Sequence, residues 1–335
     1  MSWRRVASAM DALVAPAFGA PGFRVRSKLW DPAALDVDLR GKRVVVTGAN
    51  AGIGLATTEA LAARGAHVVM ACRSVERGEA SARTLRDRLP DAQLEVAQAD
   101  MADLESVAAL GRALTARDAP LHGLVHNAGA LFAEAALSPQ GFERTFALHV
   151  LGPFLLTRWL APRLAAGGAT GERARLVWVS SGGMYTQRLR VADLCEGPRR
   201  YEGAAVYAHA KRAQVVLARH WSERLGPRGV SVSAMHPGWA DTRGVRDALP
   251  RFHKLTRGIL RTPEQGADTI VWLVAAAEAA QADGGFYLDR QAKRAHTPGA
   301  RTEATPAEEH ALWALCARCT APFAPAPPPE ERRGD

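Results

Sequence analysis

A tyrosine and a lysine four positions apart are the residues with the clearest chemical meaning in this sequence. Tyr207 and Lys211 share one face of a predicted helix. The phenol can pass a proton to or from a substrate oxygen, and the ammonium is expected to lower the phenol pKa. An isolated pair of this kind is more often two solvent-exposed helix residues. Of the four tyrosines, however, only Tyr207 is followed by lysine at this spacing.

A glycine-rich turn at residues 47–54 lies between a β-branched run and a predicted helix. Gly48 permits a tight turn, Gly52 lets the backbone approach a pyrophosphate, and Gly54 allows close helix packing. The phosphates would lie at the positive end of the helix. A purely structural turn is the alternative. The predicted phosphate contacts are Gly48, Asn50, Ala51, Gly52, Ile53 and Gly54.

The end of the second predicted strand indicates which dinucleotide would bind. A carboxylate here would bind the ribose hydroxyls of NAD and repel a 2′-phosphate, but the chain has Cys72 and Arg73. A guanidinium can hold a phosphate through two hydrogen bonds. The sequence therefore favours NADP(H) over NAD(H), with a merely exposed Arg73 as the alternative.

Other strand ends carry polar or small residues, and ligands of open parallel sheets bind beyond the carboxyl ends of strands. Asp100 can accept a hydrogen bond from an adenine amine or cap a helix, although Asp103 is the better cap. Ser181 can donate to a substrate oxygen near Tyr207 or form an ordinary turn. We interpret Asn127 as mainly a tie between strands. The remaining predicted cofactor contacts are Met101, Asn127, Ala128, Gly129, Tyr207, Lys211, Pro237, Gly238 and Thr242.

Strands and helices that alternate from Arg43 onwards must position these residues, which predicts a doubly wound parallel sheet with helices on both faces. Pro153 is expected to kink one helix or mark a junction. The predicted strands are 44–47, 67–71, 94–97, 121–126, 176–180, 230–235 and 286–288. The predicted helices are 53–64, 76–89, 104–116, 142–164, 204–225 and 263–277.

The chain divides into three segments. Residues 1–40 form an N-terminal extension, which starts as an amphipathic helix on the fold or on a membrane surface. Residues 41–320 form a single Rossmann-type catalytic domain, and the Pro-rich tail 321–335 is expected to be disordered. The extension is expected to break at four residues. These are Pro16, Gly19, Pro21 and Gly22.

Composition limits the classes of function. The net charge of +9 comes mostly from arginines scattered without a basic run among aromatics, so nucleic-acid binding is not expected. No apolar run reaches the ~18 residues of a membrane span. Four cysteines give no disulfide framework, which suits a cytoplasmic location with peripheral membrane contact at most. Cys316 and Cys319 have redox or metal spacing, but we interpret this lone pair as helix residues and predict no metal.

Together these motifs resemble the short-chain dehydrogenase/reductase family over roughly residues 40–290. The resemblance implies a Rossmann sheet of about seven strands and a nicotinamide-dependent interconversion of carbonyl and alcohol. By position it assigns substrate-oxygen stabilisation to Ser181, proton transfer to Tyr207, phenol tuning and ribose binding to Lys211, and adenine binding to Asp100. Family members often pair through the helix that carries the tyrosine, which implies a homo-oligomer.

A narrower similarity is to the dehydrogenase/reductase member 12-like subgroup. It is carried by residues 180–184, 235–242, 264–269 and 289–290, and by His296. The 26-residue step from Ser181 to Tyr207 is longer than the commoner family spacing, as in retinol-dehydrogenase-like members.

His149 departs from the family pattern. Many members carry an asparagine here, which holds a water in the proton relay. Histidine can also bond a water or a carbonyl, and it titrates near neutrality, so we expect activity with an altered pH profile. A packed helix histidine is the alternative.

The segment between Thr242 and Thr262 is the predicted substrate lid, with apolar residues at helical spacing. If these line a pocket with Trp239, the substrate is a small lipophilic carbonyl or alcohol; ordinary core packing is the alternative. They are Val245, Leu249, Phe252, Leu255 and Ile259. The predicted function is an NADP(H)-dependent oxidoreductase, and the alternative is an NADP(H)-binding regulatory or scaffold protein with little catalysis.

Overall fold

One mixed sheet organises the molecule. The computed structural model describes residues 14–169, 171–196, 201–242, 246, 250–296 and 302–326. Within them, eight strands lie in the order β3-β2-β1-β4-β5-β6-β7-β8, all parallel except β8. The strands are β1 (Arg43–Thr47), β2 (His67–Cys72), β3 (Leu94–Gln98), β4 (Gly123–His126), β5 (Ala174–Val179), β6 (Val230–Met235), β7 (Phe286–Leu288) and β8 (Gln291–Lys293).

The doubly wound sheet is confirmed, but the prediction of about seven strands is one too few. The missing strand, β8, has three residues and pairs antiparallel with β7 at the sheet edge. Asp289 and Arg290 make the two-residue turn between them, with φ of +52° and +57°. Two-residue hairpin turns usually contain a glycine, which makes them recognisable in a sequence. Here neither that glycine nor an apolar alternation marks the strand.

Helices cover both faces of the sheet and close two hydrophobic clusters. In β1, Val45 packs under one set of helices while Val44 and Val46 pack under the other, as the two-residue period of a strand requires. The helices are α1 (Val14–Phe18), α2 (Ala20–Ser27), α3 (Gly52–Ala62), α4 (Val75–Arg88), α5 (Leu104–Ala116), α6 (Gly152–Gly168), α7 (Val191–Glu196), α8 (Gly203–Leu225), α9 (Pro250–Thr256), α10 (Pro263–Ala275) and α11 (Pro306–Thr320).

The long helix predicted over 142–164 is interrupted. A short helix, Arg144–Phe146, runs into a π-helical turn, Ala147–Leu151, and then into α6. Pro153 therefore lies at a junction, directly after the π-helical turn, and its missing N–H cannot bond the turn before it. π-helical turns are frequent at functional sites, and this one carries His149.

The breaks predicted in the N-terminal extension are mostly wrong. Pro16 lies within α1, while Pro21 and Gly22 lie within α2, so only Gly19 separates the two helices. Pro21 falls in the first turn of α2, which needs no N–H donor and suits the fixed φ of proline. The extension is thus folded where it is described, from residue 14 onwards.

The C-terminal segment corrects the predicted start of the tail. Residues 321–323 form a 3₁₀ turn after α11, and the Phe323 carbonyl accepts a hydrogen bond from Trp159 Nε1 at 2.9 Å. Residues 327–335 lie outside the described residues. Cys316 and Cys319 both lie in α11, as predicted. No helix in the described part of the chain has the length and apolar character to cross a membrane.

Candidate active site

The start of α8 brings the tyrosine and the lysine to the carboxyl end of β5. Lys211 Nζ donates to the Val179 carbonyl at 2.8 Å, and Ser180 Oγ donates to the Lys211 carbonyl at 2.8 Å. The side chain of Ser180 is therefore used to hold the helix against the strand. Its neighbour Ser181 opens the 3₁₀ turn 182–186, and its Oγ accepts a hydrogen bond from Gly183 N at 3.2 Å.

The other three predicted catalytic side chains converge on Tyr207. Ser181 hydrogen-bonds the phenol, Lys211 Nζ lies 5.4 Å from the ring centroid, and the His149 ring meets the phenol ring edge to face at 5.2 Å. Gly129 completes the cluster, since a Cβ built there would lie 2.8 Å from His149 Cε1 and 3.6 Å from Lys211 Nζ.

Burial governs the protonation of this cluster. It raises the pKa of Tyr207 above its ordinary value of 10.0, opposed by the hydrogen bond from Ser181. The net shift is therefore opposite in direction to the lowering that was expected from Lys211. Burial also lowers the pKa of Lys211 to about 7, because no carboxylate among the described residues pairs with this amine. Lys211 is thus only partly charged at neutral pH.

His149 is fully buried and held by the backbone of the neighbouring loop. Its Nε2 lies 2.8 Å from the Ala130 carbonyl, while Nδ1 is buried and has no hydrogen-bond partner in the described structure. Burial, followed by the positive charge of Lys211, lowers its pKa well below the ordinary 6.5. The expectation that His149 titrates near neutrality is therefore wrong, because the charged imidazolium would lose its hydration. The neutral ring instead presents one vacant acceptor atom.

The glycine-rich turn forms a cradle at the N-terminus of α3. Gly48 has φ +68°, and a Cβ there would come within 2.9 Å of the Ala128 backbone; Gly52 has φ +54°. A Cβ on Gly54 would collide with the Gly48 carbonyl at 2.2 Å. The preceding residue, Ala51, provides no side-chain cap, so the first N–H groups of α3 remain available to an anion.

Hydrogen bonds fix this cradle to the neighbouring strands. Thr47 Oγ1 accepts from the amides of Asn127 and Ala128, both at 3.0 Å, and Asn127 Nδ2 donates to the Thr47 carbonyl at 2.9 Å. Ser81 Oγ donates to the Asn50 carbonyl at 3.0 Å. The side chain of Asn127 thus ties the ends of β1 and β4 together.

Two other predicted cofactor contacts flank the cradle. Arg73 is exposed at the end of β2, and no acidic residue in the described ranges forms an ion pair with it. Asp100 Oδ1 accepts from the Ala102 amide at 2.9 Å, which leaves the other carboxylate oxygen for a ligand. Asp103 caps α5, as the sequence predicted. Met101 is buried, at 3% exposure.

The loop after β6 approaches the cradle from the other side. A Cβ on Gly52 would lie 3.4 Å from Thr242 Cγ2, so the Thr242 side chain lies next to the glycine-rich turn. Arg261 Nη1 donates to the Pro237 carbonyl at 3.2 Å, and Gly238 adopts φ +73° beside the Arg261 guanidinium. Sequence reasoning missed Arg261, because no local sequence pattern marks a charged side chain as buried.

The predicted lid is only partly described. Val245 and Leu249 lie outside the described residues. Phe252 in α9 packs edge to face against Trp239 at 5.0 Å, whereas Leu255 is 86% exposed. Core packing therefore does not explain Leu255.

These features fit a bound dinucleotide. The cradle and the bare helix N-terminus lie where the strand order reverses between β1 and β4, which is where open α/β sheets bind such ligands. The fold and site therefore define a dinucleotide-binding α/β protein. A family model described as short chain dehydrogenase matches residues 42–251. The chain belongs to the short-chain dehydrogenase/reductase family and is an NAD(P)-dependent oxidoreductase.

Named relatives agree with this assignment. Human dehydrogenase/reductase SDR family member 12 is 36% identical over 87% of this chain and 90% of its own length. Retinol dehydrogenase 12 of Bos taurus is 36% identical over 81% of this chain and 84% of its own. Among solved structures, an uncharacterised protein of Mycobacterium paratuberculosis is 30% identical with a TM-score of 0.68, covering 86% of this chain and 97% of its own. An NAD(P)-dependent gluconate 5-dehydrogenase of Beutenbergia cavernae with bound NADP is 26% identical, with a TM-score of 0.60 over 75% and 96%.

Proposed function

We propose that this protein interconverts a carbonyl and an alcohol on a lipophilic substrate, with NADP(H) as the cofactor and Tyr207 as the proton donor or acceptor. The observation that carries this proposal is the convergence of Ser181, Lys211 and His149 on one phenol. Binding a dinucleotide alone requires no such phenol. The bound nicotinamide would supply hydride for reduction or accept it in oxidation.

The chain's own residues would handle the oxygen and the proton. Ser181 donates a hydrogen bond to the substrate oxygen, and in reduction Tyr207 gives its proton to the same oxygen. In oxidation the phenol accepts that proton. The raised pKa of Tyr207 keeps the phenol protonated near neutral pH, which a proton donor requires. Lys211 would hold the ribose, and the phosphates would lie on the glycine cradle.

Two observations support the finer choices of cofactor and substrate. Arg73 is exposed and lacks a carboxylate partner within the described ranges, so it is free to bind a 2′-phosphate. Trp239 and Phe252 form a partly exposed aromatic pair after the end of β6, and a relative is named retinol dehydrogenase, after a lipophilic alcohol. Peripheral membrane contact through the N-terminal extension and the lid stays a prediction, as does a homo-oligomer.

The decisive experiment measures NADPH consumption against a panel of lipophilic aldehydes and ketones, with NADH alongside. Tyr207→Phe should lower kcat by roughly 10²–10⁴-fold and leave the NADPH Kd unchanged. Lys211→Ala should damage both. The matched control is Tyr201→Phe, because the Tyr201 hydroxyl faces Thr145 and the Phe132 carbonyl, each at 3.4 Å.

Retained turnover in Tyr207→Phe would falsify the assignment of proton transfer. Tight NADPH binding by the wild-type protein without turnover on any member of the panel would instead favour the alternative, a cofactor-binding regulatory or scaffold protein. This alternative is supported by His149, which replaces the asparagine that many family members carry in the proton relay.

A further inference from the structure

The N-terminal extension reaches the loop that carries Ser181. The Phe18 ring, at the end of α1, lies against Gly182, where an added Cβ would come within 2.8 Å of Phe18 Cε2. The same ring meets His236 edge to face at 4.6 Å and Trp239 at 6.1 Å. The Phe18 side chain of the extension therefore contacts residues that follow both β5 and β6.

The backbone of the extension also holds the loop after β6. The Phe18 carbonyl accepts a hydrogen bond from Trp239 N at 2.8 Å. A Cβ on Gly238 would lie 2.5 Å from that carbonyl and 2.4 Å from Arg261 Cζ. Only glycine fits between the extension and Arg261, so the position of this loop depends on both neighbours.

A buried carboxylate anchors the extension at this place. Asp289 binds Arg26 through Oδ2 at 2.6 Å and Arg261 through Oδ1 at 2.5 Å, and all three side chains are at most 1% exposed. Arg26 Nη1 also donates to the Ala17 carbonyl at 2.8 Å, and Arg261 Nε donates to the Gly19 carbonyl at 3.2 Å. The two guanidinium groups thus hydrogen-bond the backbone carbonyls on either side of Phe18.

We propose that the extension is part of the active site, and that Phe18 is a positioning residue that holds the Ser181 loop and the Gly238 loop at a fixed separation. This inference rests on the proposed function, because the Ser181 loop positions the substrate oxygen and the Gly238 loop would position the nicotinamide. Without the ring, the space beside Gly182 lets the Ser181 hydroxyl move away from Tyr207. Misplacement of a reacting group by about 1 Å can lower a rate by about 10²-fold.

The test compares Phe18→Ala and Phe18→Leu with a control in α11, Trp313→Leu. The Trp313 ring packs on the rings of Phe154 and Trp221, with a centroid distance of 4.9 Å to each. Trp221 lies 14 residues beyond Tyr207 in α8, which is about 21 Å along a helix. Two measurements are made on each variant: steady-state kcat with the NADPH Kd, and hydrogen–deuterium exchange at the amides of residues 181–186 and 237–242.

Phe18→Ala should lower kcat roughly tenfold to a hundredfold with little change in the NADPH Kd, and it should speed exchange at Gly183, whose amide bonds Ser181 Oγ. Phe18→Leu should restore part of both properties. Trp313→Leu should match the wild-type protein in kcat and in exchange at both loops, even where it unfolds more easily.

Wild-type exchange at Gly183 in Phe18→Ala would overturn the inference, and so would an equal loss of kcat in Trp313→Leu. If the wild-type protein turns over no member of the carbonyl panel, the proposed function fails. The exchange measurement then decides the positioning role by itself, since it requires no substrate.

Discussion

Two buried basic centres lie at the carboxyl ends of strands, one around Asp289 after β7 and one at Lys211 beside β5. They differ in how their positive charge is balanced. Arg26 and Arg261 share the carboxylate of Asp289 as a counter-ion, and both also donate hydrogen bonds to backbone carbonyls. Lys211 is equally buried but bonds only the Val179 carbonyl among the contacts described above. Its pKa falls to about 7.

The difference separates a structural centre from a reactive one. A buried charge with matched partners holds elements together, and its loss leaves other charges exposed to a low dielectric. A buried amine without a carboxylate is destabilising until a ligand supplies hydroxyl oxygens and negative charge. The first centre should therefore respond strongly in stability, and the second should respond in activity and in pH dependence.

Removing the shared carboxylate should have the largest effect. In Asp289→Ala, two buried guanidinium groups lose their counter-ion, and breaking a buried pair in this way typically destabilises a protein by about 3–5 kcal/mol. Urea unfolding followed by circular dichroism measures the change. The control is Asp118→Ala, which breaks an ion pair with Arg163 whose carboxylate is 97% exposed. Equal midpoints for the two variants would show that the Asp289 centre is not structural.

Replacing the unpaired amine should stabilise the protein without ligands, in a pH-dependent way. Below pH 7 the folded wild-type protein carries a buried ammonium, and Lys211→Met removes this unfavourable charge. Between pH 7 and about 10 the folded amine is neutral while the unfolded lysine keeps its proton, so wild-type stability rises with pH and the gain in the variant shrinks.

Urea midpoints between pH 6 and pH 9.5 measure this trend, with Lys28→Met at an exposed position as the control. Turnover of Lys211→Met should be lost at every pH. A stability difference that stays constant across this range would contradict a depressed pKa for Lys211.

Replacing the exposed Arg73 should have a smaller effect, and only on the binding of NADPH. Arg73→Gln should weaken NADPH binding by roughly tenfold, or about 1.4 kcal/mol, because one guanidinium contact to the 2′-phosphate is lost. NADH affinity and the unfolding midpoint should not change. Arg83→Gln, at another exposed arginine on α4, controls for general charge. Equal weakening of NADH and NADPH binding would remove the basis for the NADP(H) preference.

The smallest change is expected at His149. Its pKa lies well below 6.5, so the ring stays neutral across the assay range. His149→Asn should therefore keep the wild-type shape of the pH dependence of kcat/KM between pH 6 and pH 9. A wild-type inflection that disappears in this variant would show that the histidine does titrate during turnover.

The parts of the site that depend on local spacing could be predicted from the sequence. Tyr207 and Lys211 are one helical turn apart, and the glycines at 48, 52 and 54 need only the strand before them and the helix after them. Their placement follows from short-range geometry. The parallel order of the sheet followed in the same way from alternating strands and helices.

Contacts that depend on distant residues could not be predicted. The docking of Phe18 depends on Asp289 and Arg261, which have no local pattern that marks them as buried. The depressed pKa values of His149 and Lys211 arise from tertiary burial, which spacing does not reveal. Strand β8 is three residues long and its turn contains no glycine, so neither length nor turn chemistry identified it.

The ion pair between Arg26 and Asp289 joins positions 263 residues apart. A ribosome completes α1 and α2 long before it adds the hairpin of β7 and β8. At synthesis rates of about 5–20 residues per second, the interval is on the order of tens of seconds. During that time α1 and α2 lack their anchor, so a segment that is made early is among the last to take its final place.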